Sequence, residues 1–116
     1  MANKERSEVS FEAAGKIWTM KIGTGAMCEI EDATGKGISQ ISRELTGDNV
    51  TLSLLRAIFW ASLQKFQKGT TIDECDDLLD EIGVATAGPL IGKAFQAAFP
   101  KSEAGVNKGP RKAAAA

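Results

Sequence analysis

Apolar and polar residues alternate along EVSFEAAGKIWTMKI, residues 8–22. This period of two predicts two β-strands that form a hairpin around Ala14-Gly15. The apolar positions of the two strands share one face and comprise Val9, Phe11, Ala13, Trp18, Met20 and Ile22. We expect Trp18 to lie in the core of the protein.

The hairpin register depends on the length of its loop. A two-residue loop sets these pairs opposite each other: Phe11 with Trp18, Val9 with Met20, and Glu8 with Lys21. That register joins apolar side chains on one face and opposite charges on the other. Because Ala-Gly is a weaker type I′ turn than Asn-Gly or Asp-Gly, a bulged three-residue loop is an alternative.

After residue 23 the apolar spacing changes to three and four, which predicts about five helices. The first helix has Thr24 as its N-cap and ends at Gly35, and its predicted inner face is Met27, Ile30 and Ala33. In the second helix the apolar positions are Ile38, Ile41 and Leu45. The segment TGDN, residues 46–49, then breaks the chain.

The third helix is predicted to be the longest, and Gly69 is its expected end. Its apolar stripe consists of Leu52, Leu55, Ile58, Phe59, Leu63 and Phe66. A fourth helix opens with a capping box, Thr71 to Glu74, and ends at Gly83. Its predicted inward positions are Ile72, Cys75, Leu78, Leu79 and Ile82.

A fifth helix is predicted with Pro89 in its first turn and Pro100 at its end. Its apolar face consists of Leu90, Ile91, Ala94, Phe95 and Ala98. Strands followed by helices indicate the α+β class: a small N-terminal β-hairpin and about five short helices in one mostly helical domain. We expect a flexible N-terminus over residues 1–7, the single domain over residues 8–100, and a disordered tail over residues 101–116.

Charge and composition remove several classes of function. The 116-residue chain has a net charge of −1, with 14 basic and 15 acidic residues, whereas nucleic-acid binding proteins usually carry a basic excess. No stretch approaches the ~20 apolar residues of a membrane span, and no signal peptide is apparent, so we expect a cytoplasmic protein. The chain has no histidine, and its two cysteines, Cys28 and Cys75, are expected to be buried and reduced, with a disulfide or a reactive role as the alternative.

The glycine- and lysine-rich segment KIGTGAMCEIEDATGKG, residues 21–37, has the composition of a phosphate-binding loop. A Walker A loop needs a Ser or Thr after Gly35-Lys36, but Gly37 follows. A dinucleotide fingerprint needs a third glycine where Cys28 stands. We therefore interpret these glycines as the residues that separate a strand and two helices from one another, and we expect no cofactor.

Acidic residues and cysteine supply no convincing reaction centre. The fourth helix carries Asp73, Glu74, Asp76, Asp77, Asp80 and Glu81. A solvated face is the simplest interpretation; a surface for a basic partner and a hard-cation site are the alternatives. Acidic neighbours of Cys28 oppose thiolate formation, and no base is present to activate a serine. No catalytic or metal-binding residue is predicted, and we expect the protein not to be an enzyme.

Trp60 lies away from the centre of the apolar stripe of the third helix. Its neighbours on that side are Arg56, Gln64 and Gln67. Tryptophan and arginine are enriched at the energetic centres of interfaces, so these four residues are candidate partner-binding residues. The alternative is that Trp60 packs against the hairpin or a neighbouring helix.

The segment EVSFEAAGKIWTMKIGTGAMCEIEDATGKGISQI resembles the opening of a family of tailed-phage and gene transfer agent proteins. That family is described as tail assembly chaperones or tail tube-associated proteins. The shared layout spans residues 8–99: the hairpin turn glycine, the segment EIEDATG, and helices matching LLRAIFWASL and IGKAFQAAF. The chain departs at Ala14-Gly15, where members often have Asp-Gly or Asn-Gly, and at Met27 and Cys28, where leucine is common.

The resemblance implies a non-enzymatic factor in tail morphogenesis, encoded by a prophage or gene transfer agent. Such a chaperone would coat the tape measure protein and leave as tail tube protein polymerises around it. A structural, tube-associated role in the virion is the alternative, and a small nucleotide- or DNA-binding protein is a further class. The implied partners are the tape measure and tail tube proteins, without nucleic acid or membrane; a weak homo-oligomer is compatible with weak, multiple contacts.

Overall fold

The computed structural model describes residues 7–48 and 50–99, and shows an N-terminal hairpin followed by five helices. The α+β prediction is confirmed. The elements are β1 (Glu8–Ala13), β2 (Lys16–Lys21), α1 (Thr24–Thr34), α2 (Ile38–Thr46), α3 (Leu52–Leu63), α4 (Ile72–Ile82) and α5 (Val84–Ala97). The predicted flexible segment 1–7, apart from its last residue, and the predicted tail 101–116 lie outside the described residues, as do Asn49 and Pro100.

The hairpin has the two-residue loop and the predicted register. β1 and β2 are antiparallel, with Phe11 opposite Trp18, Val9 opposite Met20 and Glu8 opposite Lys21. Both loop residues have positive φ, 52° at Ala14 and 75° at Gly15, as a type I′ turn requires. The backbone N–H of Ala14 donates to Glu81 Oε2 at 2.9 Å, which helps to hold the alanine in its unfavourable conformation.

The turn gives a direct test of backbone strain. We expect Ala14→Asn to raise the free energy of unfolding by about 0.5–1 kcal/mol, because asparagine adopts positive φ more readily than alanine. Gly15→Ala should lower it by about 1 kcal/mol, because alanine resists that φ. Urea denaturation measures both, and the interpretation fails if the two substitutions change stability in the same direction.

The core is organised around α3. Ile58, Phe59 and Leu63 are fully buried, and the Phe59 ring lies 5.7 Å from the ring of Phe11, centroid to centroid. α1 packs on α3, as do β2, α4 and α5, while α5 also contacts β1. The hairpin places Val9, Ala13, Trp18 and Met20 in this core, so the core prediction for Trp18 is confirmed.

α3 is shorter than predicted, because it ends at Leu63 rather than continuing to Gly69. Residues 64–69 form turns that bring the Gln67 side chain to β2, as described below. The two ends of the predicted stripe are therefore not buried: Leu52 is 57% exposed and Phe66 is 48% exposed. Leu54, which was not assigned to the stripe, is buried instead.

α1 also differs from the prediction. Its N-cap is Gly23, not Thr24, and it has no side-chain capping hydrogen bond. Ile30 is its buried residue, whereas Ala33 and Cys28 are exposed, so the prediction of a buried Cys28 is wrong. A helix that covers α3 with one narrow face leaves the residues on either side in solvent.

The capping box, the terminal glycine and the buried positions Cys75, Leu78 and Leu79 predicted for α4 are confirmed, whereas Ile72 is only half-buried, and α5 begins earlier than expected. The Thr71 hydroxyl and the Glu74 carboxylate form the reciprocal capping box, and Gly83 ends α4 with φ of 85°. α5 starts directly after Gly83, at Val84, so Pro89 lies inside the helix and not in its first turn. Pro89 is exposed, which leaves room for the ring on the outer surface.

Candidate partner-binding groove

A groove of about 620 Å³ lies between the start of α1 and the end of α3. We call it the Trp60 groove. Its walls combine the indole of Trp60 and small residues with the side chains of three lysines. The lining residues are Lys21, Gly23, Thr24, Gly25, Ala26, Glu29, Trp60, Ala61, Gln64, Lys65 and Lys68.

Trp60 and Gln64 form one side of this groove and also fix the turn beyond α3. The indole N–H of Trp60 donates to the carbonyl oxygen of Thr70 at 3.0 Å. The amide of Gln64 donates to the same carbonyl at 3.0 Å, and to the carbonyl of Trp60. Trp60 is half-buried against the core, so part of the indole packs inward and part lines the groove.

Gln67 closes the open edge of β2. Its side-chain oxygen accepts from the N–H of Thr19 at 2.8 Å, and its side-chain nitrogen donates to the carbonyl of Thr19 at 2.9 Å. The amide therefore occupies the place that a further strand would take on the ladder. The same nitrogen donates to the carbonyl of Leu63, which ties the edge of the sheet to the end of α3.

Arg56 pairs with α4 rather than with the Trp60 groove. Its guanidinium donates to both carboxylate oxygens of Asp76, at 2.8 and 2.7 Å, in the bidentate geometry of a strong ion pair. This hydrogen bonding raises the pKa of Arg56 above its usual value. The four predicted partner-binding residues thus have intramolecular contacts, and only Trp60 and Gln64 lie together in one groove; a role in partner binding stays a prediction.

The N-terminus of α1 gives the Trp60 groove a positive end. Its first backbone N–H groups have no side-chain cap, and its first turn contains no acidic residue. Unpaired N–H groups at a helix start carry a partial positive charge, to which Lys65 and Lys68 add full charges. This grouping could not be predicted from the sequence, since about 40 residues separate those lysines from Gly25. Only the packing of α1 on α3 brings them together.

The rest of the glycine- and lysine-rich segment has a structural role. Gly35 ends α1 with φ of 73°, in the left-handed conformation. The Glu31 carboxylate accepts from the N–H of Ile38 at 2.9 Å and so caps α2. Lys36 pairs with Glu44 at 2.8 Å and lowers the pKa of that carboxyl group. These contacts confirm that the second glycine pair, Gly35 and Gly37, separates two helices.

Over residues 7–48 and 50–99, no three histidine, cysteine, aspartate or glutamate side chains are arranged to hold a metal ion. No helix there has the length and apolar character to cross a membrane.

Comparison of the chain with protein-family models, with curated proteins and with solved structures finds no match.

Proposed function

We propose that the protein is a non-enzymatic tail morphogenesis factor of a phage or gene transfer agent, acting in the host cytoplasm as a chaperone that binds the tape measure protein. The family resemblance over residues 8–99 suggests the role. The structural observation that supports it is the Trp60 groove, an open surface in which an aromatic ring is bordered by lysines. Grooves of this kind accept the apolar side of a partner helix.

The groove chemistry indicates which part of a tape measure protein would bind. An apolar side chain of the partner would contact the exposed part of the Trp60 indole. Acidic side chains next to it would face Lys65 and Lys68 and the N-terminus of α1. We therefore expect the bound segments of the tape measure protein to be amphipathic helices with acidic residues beside their apolar face.

Gly25→Glu separates binding from folding. A side chain added at Gly25 meets nothing within 4 Å, and its φ lies outside the left-handed region. Replacing a helical glycine and adding an acid to the first turn should raise the free energy of unfolding by about 1 kcal/mol. The same carboxylate would enter the groove and repel an acidic partner, so we expect at least a tenfold loss of affinity.

The measurement is isothermal titration calorimetry with overlapping fragments of the tape measure protein from the same genome. Gly92→Glu is the matched control, because it also replaces a helical glycine, here in α5, and the added side chain again meets nothing within 4 Å. If no fragment binds the wild-type chain, the proposed function is wrong. If fragments bind wild type and Gly25→Glu equally well, the function stands and the assignment to the Trp60 groove is wrong.

Mass spectrometry of purified particles separates the chaperone from the structural alternative. A chaperone that is displaced by tail tube protein should be absent from finished particles. A stoichiometric amount of the chain in particles would instead identify a structural tail component.

A further inference from the structure

The two exposed ends of the apolar stripe on α3 lie at opposite ends of that helix. Leu52 is its first residue, and Phe66 follows its last residue by three positions. The helix itself measures about 17 Å at 1.5 Å per residue. Large apolar side chains that remain exposed at two separate places, each next to charges, are candidates for contact surfaces.

Phe66 is an apolar side chain that is 48% exposed and has basic neighbours, and we call it the Phe66 knob. It lies in the turn after α3, beside Lys16 and Lys68. The ammonium group of Lys16 is 4.3 Å from the ring centroid of Trp18, which holds this charge close to the knob. Glu74, which also borders the knob, is engaged in the capping box of α4. The charged side chains around the Phe66 ring are thus two lysines and one glutamate, so its surroundings carry a net positive charge.

A second groove, of about 440 Å³, has the opposite character. It lies between the start of α3 and the junction of α4 with α5, and we call it the α3–α4 groove. Its apolar surface is formed by Leu52, Leu79 and Val84, and Val84 is 45% exposed. Asp76 and Asp80 border it together with Arg56, so its charged lining is net negative by one. Asp80 makes no ion pair within the described part of the chain, whereas Asp76 is paired with Arg56.

We propose that the Phe66 knob of one copy inserts into the α3–α4 groove of a second copy. The ring would cover the exposed apolar atoms of Leu52 and Val84, and Lys68 would approach Asp80. Because the knob and the groove lie at opposite ends of α3, the Phe66 side chain of one chain cannot reach the α3–α4 groove of the same chain. The apolar and charged parts match on both sides of the contact, which favours a second copy as the occupant.

This contact joins two different surfaces of the same molecule, so it is heterologous. A heterologous contact leaves one unused knob and one unused groove on every dimer, and repetition produces a ring or an open filament. The inference goes beyond the proposed function, because it concerns a second copy of the chain rather than the tape measure protein, although Lys68 borders both the Trp60 groove and the Phe66 knob. Repeated contacts of this kind would allow copies of the chain to form a continuous coat without another protein.

Sedimentation velocity tests the proposal with wild-type protein from roughly 10 µM to 1 mM, a range that covers the weak affinities of a small contact. We expect the average mass to rise with concentration above the chain mass of 12.3 kDa. The association should weaken as salt is raised, because Lys68 and Asp80 lie at the surface. Phe66→Ala should weaken it by about 10- to 100-fold, the effect expected for losing a buried aromatic side chain.

A mixing experiment distinguishes this geometry from other modes of association. The knob variant carries Phe66→Ala and Lys68→Glu, and the groove variant carries Leu52→Ala and Asp80→Lys. Each variant alone should remain monomeric, but an equimolar mixture should form a 1:1 dimer that grows no further, because one intact knob and one intact groove remain. All four positions are exposed, so we expect both variants to keep near-wild-type melting temperatures.

Ile17→Ala is the control, since Ile17 is 58% exposed on the hairpin and lines neither surface, so its loss should leave association unchanged. Three results would overturn the proposal: a wild-type chain that stays monomeric throughout the concentration range, a knob variant that associates like wild type, or a mixture that remains monomeric.

Discussion

Replacing Phe59 with alanine should remove about 3–5 kcal/mol from the free energy of unfolding, the usual cost of truncating a buried aromatic side chain. Phe59 is fully buried at the centre of α3, and its ring contacts the ring of Phe11. The substitution would thus open a cavity where the hairpin meets the helices. Since domains of this size are stable by only 5–15 kcal/mol, the melting temperature should fall by more than about 10 °C.

Phe66→Ala is the matched control for this prediction. It removes the same side chain from the same predicted stripe, but Phe66 is half exposed beyond the end of α3. We expect a loss below about 1 kcal/mol, because most of the cost of truncation comes from buried surface and from the cavity. Chemical denaturation of both variants provides the comparison. Equal losses for the two variants would contradict the position of α3 in the core.

The contrast between Phe59 and Phe66 shows what the apolar pattern could predict. Periodicity identified α3 and its central buried residues, because a helix that covers a core must repeat every three to four positions. It could not identify the end of the helix, because Lys65 and Gln64 are good helix formers and give no local stop signal. α3 ends at Leu63, and four residues later the Gln67 side chain bonds with Thr19, a residue 48 positions away in the sequence.

The hairpin was predicted more completely, because its register depends on residues that are close in sequence. A slip by one position would turn Trp18 and Met20 towards solvent, so the alternation itself determines the pairing. The capping box of α4 was predicted correctly for the same reason, because Thr71 and Glu74 are only three positions apart. In contrast, the start of α5 was misplaced, because proline usually marks the first turn of a helix and Pro89 lies further inside.

The candidate sites could be predicted only in part. The unusual position of Trp60 on α3 was apparent from a helical projection, and the structure places its indole in a groove. The lysines of that groove and the glycines of α1 come from segments far apart in sequence, and their proximity depends on how α1 packs on α3. The same holds for the α3–α4 groove, where Leu52 and Val84 meet only through the packing of three helices.

Alkaline pH should destabilise the protein through Cys75. The thiol is fully buried in α4, and burial raises its pKa from 9.0 to about 12, with the nearby carboxylates of Asp76 and Glu74 adding to the effect. Between these two values the unfolded chain loses the thiol proton and the folded chain keeps it. The folded state then binds more protons than the unfolded state, so the free energy of unfolding falls as pH rises from about 9 towards 12. Below pH 9 this contribution to stability is fully present.

The slope of this loss approaches 1.4 kcal/mol per pH unit, or about 4 kcal/mol over the whole interval. Lysines also titrate in this range, so the informative quantity is the difference between wild type and Cys75→Ala in urea denaturation from about pH 8 to 11. The variant should be less stable than wild type by about 1 kcal/mol at pH 8, because it loses a buried sulfur atom. Its stability should then fall less steeply, so that it overtakes wild type above about pH 10. Cys28→Ala, which removes the exposed thiol of α1, serves as the control for removing a cysteine outside the core. Parallel curves for wild type and Cys75→Ala would show that the Cys75 thiol can ionise within the fold, and that α4 does not seal it from water.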